Sequence, residues 1–170
     1  IVYPSLFLEF DVLQKSHYLQ NFPNHIVTAS PTVSRKPVNK FMTPAAWLHI
    51  YSSLEGQNLS QQFSKLVVAK CTRFESGKWS YPFRLPTFTM LELVYLFDKK
   101  SVDKEARTVK SLVTKSLNSF GLQGTFTPAD DSFFLGERTG KSTQIMQTLL
   151  KAKYEFKIHS DLNTTVPLAS

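Results

Sequence analysis

The stretch that decides the fold is LVVAKCTRFESGKWSYPFRLPTFTMLELVYLF, residues 66–97. Its first and last thirds, residues 66–75 and 87–97, are rich in β-branched and aromatic residues, and Gly, Pro, Asp or Ser bound both of them. That composition is typical of strands. The residues between them, 76–86, include one glycine and two prolines and predict a turn-rich loop. The sequence therefore predicts an antiparallel hairpin.

Charged side chains interrupt the apolar pattern of this hairpin. Alternation along a strand places Cys71, Arg73 and Glu75 on one face, and it likewise places Phe88 and Glu92 on one face of the second strand. Burying a charge is costly unless it is paired or faces a ligand. An arginine beside an aromatic ring can bind a phosphate and stack on a flat base. The alternative is an ion pair between the strands over a packed ring.

Composition favours one folded domain spanning residues 1–170, with 42% hydrophobic and 19% charged residues. No apolar run reaches membrane-spanning length, so membrane insertion is not expected. The single cysteine, Cys71, excludes an internal disulfide framework and is interpreted as a buried, inert thiol. It favours a reducing, intracellular location, in the cytoplasm or the mitochondrion. The net charge of +7 permits a nucleic acid, an acidic protein or a large anionic assembly as partner, or indicates only a solvated basic surface.

The remaining elements alternate between helices and strands. Helices are predicted over 11–19 with Asp11 as cap, from an N-cap at Thr43 with Pro44 in the first turn to Gly56, from Ser101 to Gly121, and over 144–150. Further strands are predicted over 25–29, 125–127, 152–158 and from 164 to 168. This order indicates an α+β domain with a mostly antiparallel sheet.

Three other patterns are interpreted as non-functional. Residues 136–143 end like a phosphate-binding loop, but three residues separate the glycines instead of four, so they predict a surface turn. Asp130 and Asp131 follow a proline and are interpreted as turn residues. The four histidines show no metal-ligand spacing and are expected at the surface or satisfied within the core.

Taken together, the segments resemble a class II aminoacyl-tRNA synthetase core, and most closely the seryl-tRNA synthetase-like amino acid:[carrier protein] ligases. Cys71-Thr72-Arg73-Phe74-Glu75 and Phe88-Thr89-Met90-Leu91-Glu92 resemble the two strands of motif 2. The other matching segments, in chain order, are 3–6, 17–25, Thr43-Pro44-Ala45-Ala46, Ala129-Asp130-Asp131-Ser132-Phe133-Phe134 and Lys153-Tyr154-Glu155-Phe156. The match covers most of the chain.

The resemblance implies activation of an amino acid with ATP and Mg²⁺, then transfer to the phosphopantetheine thiol of an acidic carrier protein. By this likeness Arg73 would bind the α-phosphate, Glu75 would contact the adenine side and Phe88 would stack on the adenine. Arg73 and Glu75 would thus be the catalytic pair, and Glu92 would be a zinc ligand. The family also implies a homodimer.

Departures from the family pattern weaken the enzymatic interpretation. Trp47 stands where the family has its first zinc cysteine, and an indole cannot ligate zinc, so we expect the metal site to be vestigial and zinc to be lost. Thr89 and Leu91 replace two arginines. The motif 3 arginine falls beyond Ser170, so the chain is expected to be a partial core that lacks motif 3.

Three functions follow from these observations. The first is a degenerate, non-catalytic synthetase-like module that serves as a binding or scaffold component, alone or in a larger complex. The second is an active ATP-dependent ligase. The third, which depends only on the net charge, is a basic nucleic-acid-binding protein. We favour the first, because catalysis needs charge preorganised around the triphosphate and several of its suppliers are replaced.

Overall fold

The structure is a computed structural model. It describes residues 1–30, 40–59, 61–74, 79, 81, 84–96, 98, 100–129, 153–159 and 165–170. The described chain is mixed α+β, with small antiparallel sheets and a few helices. It divides into two compact units, Ile1–Phe97 and Asp98–Ser170. The prediction of one domain over 1–170 stays a prediction.

The described residues of the first unit form four strands, three α-helices and one 3₁₀ helix. In chain order they are β1 Phe7–Glu9, α1 Phe10–Lys15, α2 Tyr18–Asn21, the 3₁₀ helix Pro23–His25, β2 Lys40–Met42, α3 Trp47–Ser53, β3 Phe63–Thr72 and β4 Thr87–Leu96. Two antiparallel pairs result, β1 with β2 and β3 with β4. The predicted hairpin over 66–97 is confirmed, although β3 begins and ends three residues earlier than expected.

The hairpin buries one face, as its alternation predicts. Val67, Ala69 and Cys71 are all buried along β3, and Val94 is buried on β4. They form one core cluster together with residues of α3 and the segment before it. Each fully buried aliphatic side chain contributes about 1.5–3 kcal/mol. The core of the first unit is therefore built directly under the strands that carry the candidate site.

The second edge of β3 is covered by distant parts of the chain. Val2 pairs with Val67 in a parallel bridge, with Val2 N–H donating to the Leu66 carbonyl at 2.8 Å. Farther along, the Thr72 N–H donates to the Thr43 carbonyl at 2.8 Å, and the Phe74 N–H donates to the His25 carbonyl at 3.2 Å. Both edges of β3 are thus hydrogen-bonded.

A second cluster lies beneath α1 and α3. Its buried members are Leu8, Leu13, Tyr18, Ala45 and Leu48. Leu13 and Leu48 are fully enclosed. The indole of Trp47 packs against this cluster and also against the cluster under the hairpin. The first unit is therefore held by two adjoining apolar clusters with Trp47 at their contact.

The prediction that Thr43 caps a helix was wrong. Helix α3 begins at Trp47, and Ala46 occupies the N-cap position without a side-chain cap. The Thr43 hydroxyl instead donates to the carbonyl of Leu6 at 3.0 Å, and the Thr43 N–H donates to the same carbonyl at 3.0 Å. Thr43 is fully buried, so these bonds to a distant segment outcompete the local cap.

Two other expectations for the first unit also need correction. The single helix over 11–19 is divided into α1 and α2, because His17 adopts a positive φ of 57° between them. Glu9 rather than Asp11 precedes the first helix, and it forms no side-chain cap. The strand predicted over 25–29 reduces to one bridge, from Thr28 to Phe41. Its first residue belongs to the 3₁₀ helix instead.

The described residues of the second unit form one long helix and a three-stranded antiparallel sheet, and the helix predicted over 144–150 lies outside them. They are α4 Val102–Ser119, β5 Gly124–Pro128, β6 Tyr154–His159 and β7 Thr165–Ala169, with strand order β5-β6-β7. The sequence predicted each of these elements to within two residues. Phe156 is fully buried and packs edge-on against Phe126 at 5.4 Å between ring centroids. This aromatic pair forms the centre of the sheet's packed face.

Helix α4 begins and ends where the sequence predicts, but a residue other than Ser101 accepts the hydrogen bonds at its start. Ser101 occupies the N-cap position, but the side chain that accepts there is Asp98, whose Oδ1 takes the N–H groups of Lys100 and Ser101 at 2.9 and 3.0 Å. Gly121 ends the helix with φ 78°, as predicted. No helix among the described residues is long and apolar enough to cross a membrane.

Candidate functional site

The register of the hairpin brings three of the four predicted site residues to one face. Cys71 lies opposite Phe88, and Val67 lies opposite Glu92. Arg73 directly follows the last residue of β3, and its N–H donates to the Pro86 carbonyl at 2.9 Å. The fourth residue, Glu75, lies outside the described residues, as do Asp130, Asp131 and the 136–143 segment. The predicted contact of Glu75 with adenine stays a prediction.

Arg73 is fixed by two contacts within the chain. Its Nε donates to the Pro44 carbonyl at 2.7 Å. Its guanidinium carbon lies 5.3 Å from the centroid of the Phe88 ring, in the range of a cation–π contact. Such a contact contributes about 0.5–2 kcal/mol, depending on its exposure. Arg73 therefore covers Phe88 and ties the end of β3 to the turn before α3.

Glu92 lies at the start of α3 and accepts hydrogen bonds from that helix. One carboxylate oxygen accepts the backbone N–H of Trp47, and the N–H of Ala46 also donates to the carboxylate. Burial raises the pKa of Glu92, while the Trp47 hydrogen bond, the Arg73 charge and the Ala46 hydrogen bond oppose that rise. The carboxylate thus satisfies N–H groups that a helix leaves without an internal partner.

Trp47 is the residue that the predicted resemblance aligns with a zinc cysteine, and that alignment stays a prediction. Its indole packs against both core clusters and meets Tyr51 edge-on, with ring centroids 5.3 Å apart. In the described part of the chain, no group of three His, Cys, Asp or Glu side chains could hold a metal ion. The donors that surround Glu92 are backbone N–H groups, which bind an anion and repel a cation.

The two positions where the family pattern has arginines face away from this site. Thr89 pairs with Lys70, and Leu91 pairs with Val68, so both lie on the opposite face of the hairpin from Phe88 and Glu92. Leu91 is 66% exposed. Because of this geometry, the lack of arginines at positions 89 and 91 does not alter the charge on the face that carries Arg73.

The thiol of Cys71 is buried beneath the site. Burial is the largest cause that raises the pKa of the Cys71 thiol to about 11. The charge of Arg73 opposes this rise, and the charge of Glu92 adds to it. At neutral pH the group is therefore a protonated thiol, and a protonated thiol is a poor nucleophile. The prediction of a buried thiol is confirmed.

This burial predicts a loss of stability in alkali. The unfolded chain releases the Cys71 proton near pH 9.0, whereas the folded chain retains it until about pH 11. Because the unfolded state then binds fewer protons, the free energy of unfolding falls as pH rises across that window, by up to roughly 2–3 kcal/mol. Urea titrations of the wild type and of Cys71→Ala across this range measure it. We expect the free energy of unfolding to fall more steeply with pH for the wild type than for Cys71→Ala. Parallel pH profiles would contradict the raised pKa of Cys71.

Two histidines near the site each pair with a hydroxyl group that the sequence did not predict as a partner. His49 Nε2 lies 3.0 Å from the Thr43 hydroxyl, and burial lowers the pKa of His49. His25 is buried, with Nδ1 3.3 Å from the Tyr18 hydroxyl and its ring stacked on Phe22. Both are satisfied core residues, as expected. Neither partner stands at a recognisable spacing, so no sequence signal could have identified them.

Two comparisons with known proteins found no match. No protein-family model matches the chain, and no curated protein matches it. Within the described residues, the chemistry of the site is that of one arginine, one ring and one half-buried carboxylate, each in contact with the chain itself.

Proposed function

We propose that this chain is a degenerate class II synthetase-like module without catalytic activity, which serves as a binding or scaffold component, as a homodimer or as a subunit of a larger complex. One observation carries the proposal. The Glu92 carboxylate accepts the N–H groups of Trp47 and Ala46, while the Trp47 side chain joins the two core clusters. The two residues that would have to hold a metal and its substrate are used to stabilise the fold.

The state of Arg73 supports the same proposal. Catalysis of phosphoryl or adenylyl transfer requires charge that is already aimed at the reacting phosphates. Here the Arg73 Nε donates to the Pro44 carbonyl, and the guanidinium covers the Phe88 ring. An adenine stacked on the face of Phe88 that the guanidinium covers would displace this cation–π contact, at the expense of the stability that it provides.

The alternative function is ATP-dependent activation of an amino acid and its transfer to a carrier-protein thiol. It is favoured by one feature, the presence of a half-buried arginine beside an aromatic ring on adjacent strands. Such a pair can contact both the phosphate and the base of a nucleotide.

ATP–pyrophosphate exchange separates the two functions. We expect exchange at background level with each of the common amino acids, with MgATP and with or without added zinc. Arg73→Ala should leave this background unchanged. The control is Lys70→Ala, which removes an exposed cation from β3 on the outer face. Exchange above background that Arg73→Ala abolishes and Lys70→Ala retains would overturn the scaffold proposal and establish the ligase.

A further inference from the structure

One side of α4 carries cations and polar groups. The side chains of this surface, which we call the basic stripe, are Lys104, Arg107, Ser111, Lys115 and Asn118, and all are exposed. At about 100° per residue, the three cations lie within roughly 80° of arc. Among the described residues, none of the three forms an ion pair with a carboxylate. In the described part of the chain, the stripe is thus a patch of three exposed cations without ion pairs, although Asp103 lies one helical turn before Arg107.

The basic stripe points away from the body of the second unit. Most partly buried residues of α4, namely Glu105, Val109, Lys110, Val113 and Leu117, lie on its other side, and Thr114 flanks the stripe. The Lys110 ammonium lies over the ring of Tyr154 on β6, 2.8 Å from the ring centroid, which identifies the side that meets the sheet. The inward side is therefore already occupied, while the stripe stays accessible to a ligand.

We infer that the basic stripe of α4 binds the phosphate backbone of a nucleic acid. Lysine, arginine, serine and asparagine side chains are the groups that most often contact phosphates. From Lys104 to Lys115 the helix rises roughly 16 Å at 1.5 Å per residue. One strand of a duplex advances about 3.4 Å per phosphate, so the stripe spans roughly five phosphates.

The composition of the stripe favours a nucleic acid over an acidic protein. Protein–protein interfaces have an apolar centre with aromatic or aliphatic anchors. The basic stripe has none, because every residue within its arc is polar. A phosphate backbone needs only cations and hydrogen-bond donors. This inference goes beyond the proposed function, and it uses no residue of the Arg73 site.

Fluorescence anisotropy of the full chain with labelled oligonucleotides tests the inference. The probes are a single-stranded RNA, the same sequence as an RNA duplex and as a DNA duplex, and a poly-glutamate peptide as the acidic-protein probe. The test variant is Arg107→Gln/Lys115→Gln. The matched control is Lys65→Gln/Lys70→Gln, which removes the same charge from exposed positions of β3 in the first unit.

We expect at least one nucleic acid to bind, with an affinity that falls as salt rises. The test variant should bind roughly tenfold more weakly, and the slope of log K against log salt should decrease by about 1.4–1.8. The control should retain both values, and the probe that binds identifies the class of nucleic acid. Three results would overturn the inference: no binding to any oligonucleotide at low salt, equal losses in both variants, or equally tight binding of poly-glutamate.

Discussion

Replacing Trp47 with alanine is expected to lower the free energy of unfolding of the first unit by about 3 kcal/mol. The indole packs against both core clusters and contacts the rings of Tyr18 and Tyr51 at centroid distances of 6.5 and 5.3 Å. Its loss leaves a cavity where the two clusters meet, and the backbone around Glu92 cannot close it without breaking the carboxylate's hydrogen bonds. The loss should therefore exceed the transfer energy of the side chain alone.

The second tryptophan of the chain supplies the control. Trp79 is 63% exposed, so Trp79→Ala should change the stability by no more than about 0.5 kcal/mol. Each variant retains one indole, which permits denaturant titration by fluorescence together with circular dichroism. If the two substitutions prove equally mild, the Trp47 indole does not hold the two core clusters together.

In the second unit, Gly124→Ala is expected to be at least as damaging, costing about 3 kcal/mol or more. A Cβ built at Gly124 would collide with the backbone carbonyl oxygen of Lys157 and would lie 2.7 Å from Cε1 of the Phe156 ring. The first neighbour is a backbone atom of the paired strand β6, and Phe156 is fully buried. Since neither can give way, β5 would have to separate from β6.

Gly121→Ala distinguishes this collision from the ordinary effect of losing a glycine. A Cβ at Gly121 meets no atom, so only its left-handed backbone, with φ 78°, opposes the substitution. That strain costs about 1 kcal/mol. Thermal unfolding followed by circular dichroism compares the two variants. Equal shifts in melting temperature would show that β5 does not pack against β6 as closely as described.

Local patterns in the sequence were sufficient wherever local contacts decide the structure. The hairpin could be predicted because β3 and β4 alternate, and because 76–86 contain the residues of a turn. The long helix could be bounded by Ser101 and Gly121 for the same reason. In each case the partners lie close together along the chain, so composition and spacing contain the necessary information.

The error at Thr43 arose because a distant segment supplies the hydrogen-bond partner, whereas the division of the helix predicted over 11–19 is a local effect of the positive φ at His17. Thr43 and Pro44 form a regular helix-start signal, but the Leu6 carbonyl takes the Thr43 hydroxyl and the helix begins later. The position of Glu92 at the start of α3 depends in the same way on the docking of a helix against a strand. A pattern along the sequence does not show which distant segments meet. The sequence could therefore indicate Glu92 as a site residue, but not which groups donate hydrogen bonds to it.

The two edges of β3 bear on the order in which the first unit assembles. The β4 edge closes through one loop of moderate length, so the contact between Arg73 and Phe88 belongs to an early, local folding event. The other edge is paired at Val67 only when Val2 reaches it. The loop between Val2 and Val67 spans most of the unit, so closing it has a high entropic cost. The candidate site therefore forms its Arg73–Phe88 contact early, and it forms its Arg73–Pro44 and Glu92–Trp47 hydrogen bonds only when the segment before α3 docks against the hairpin.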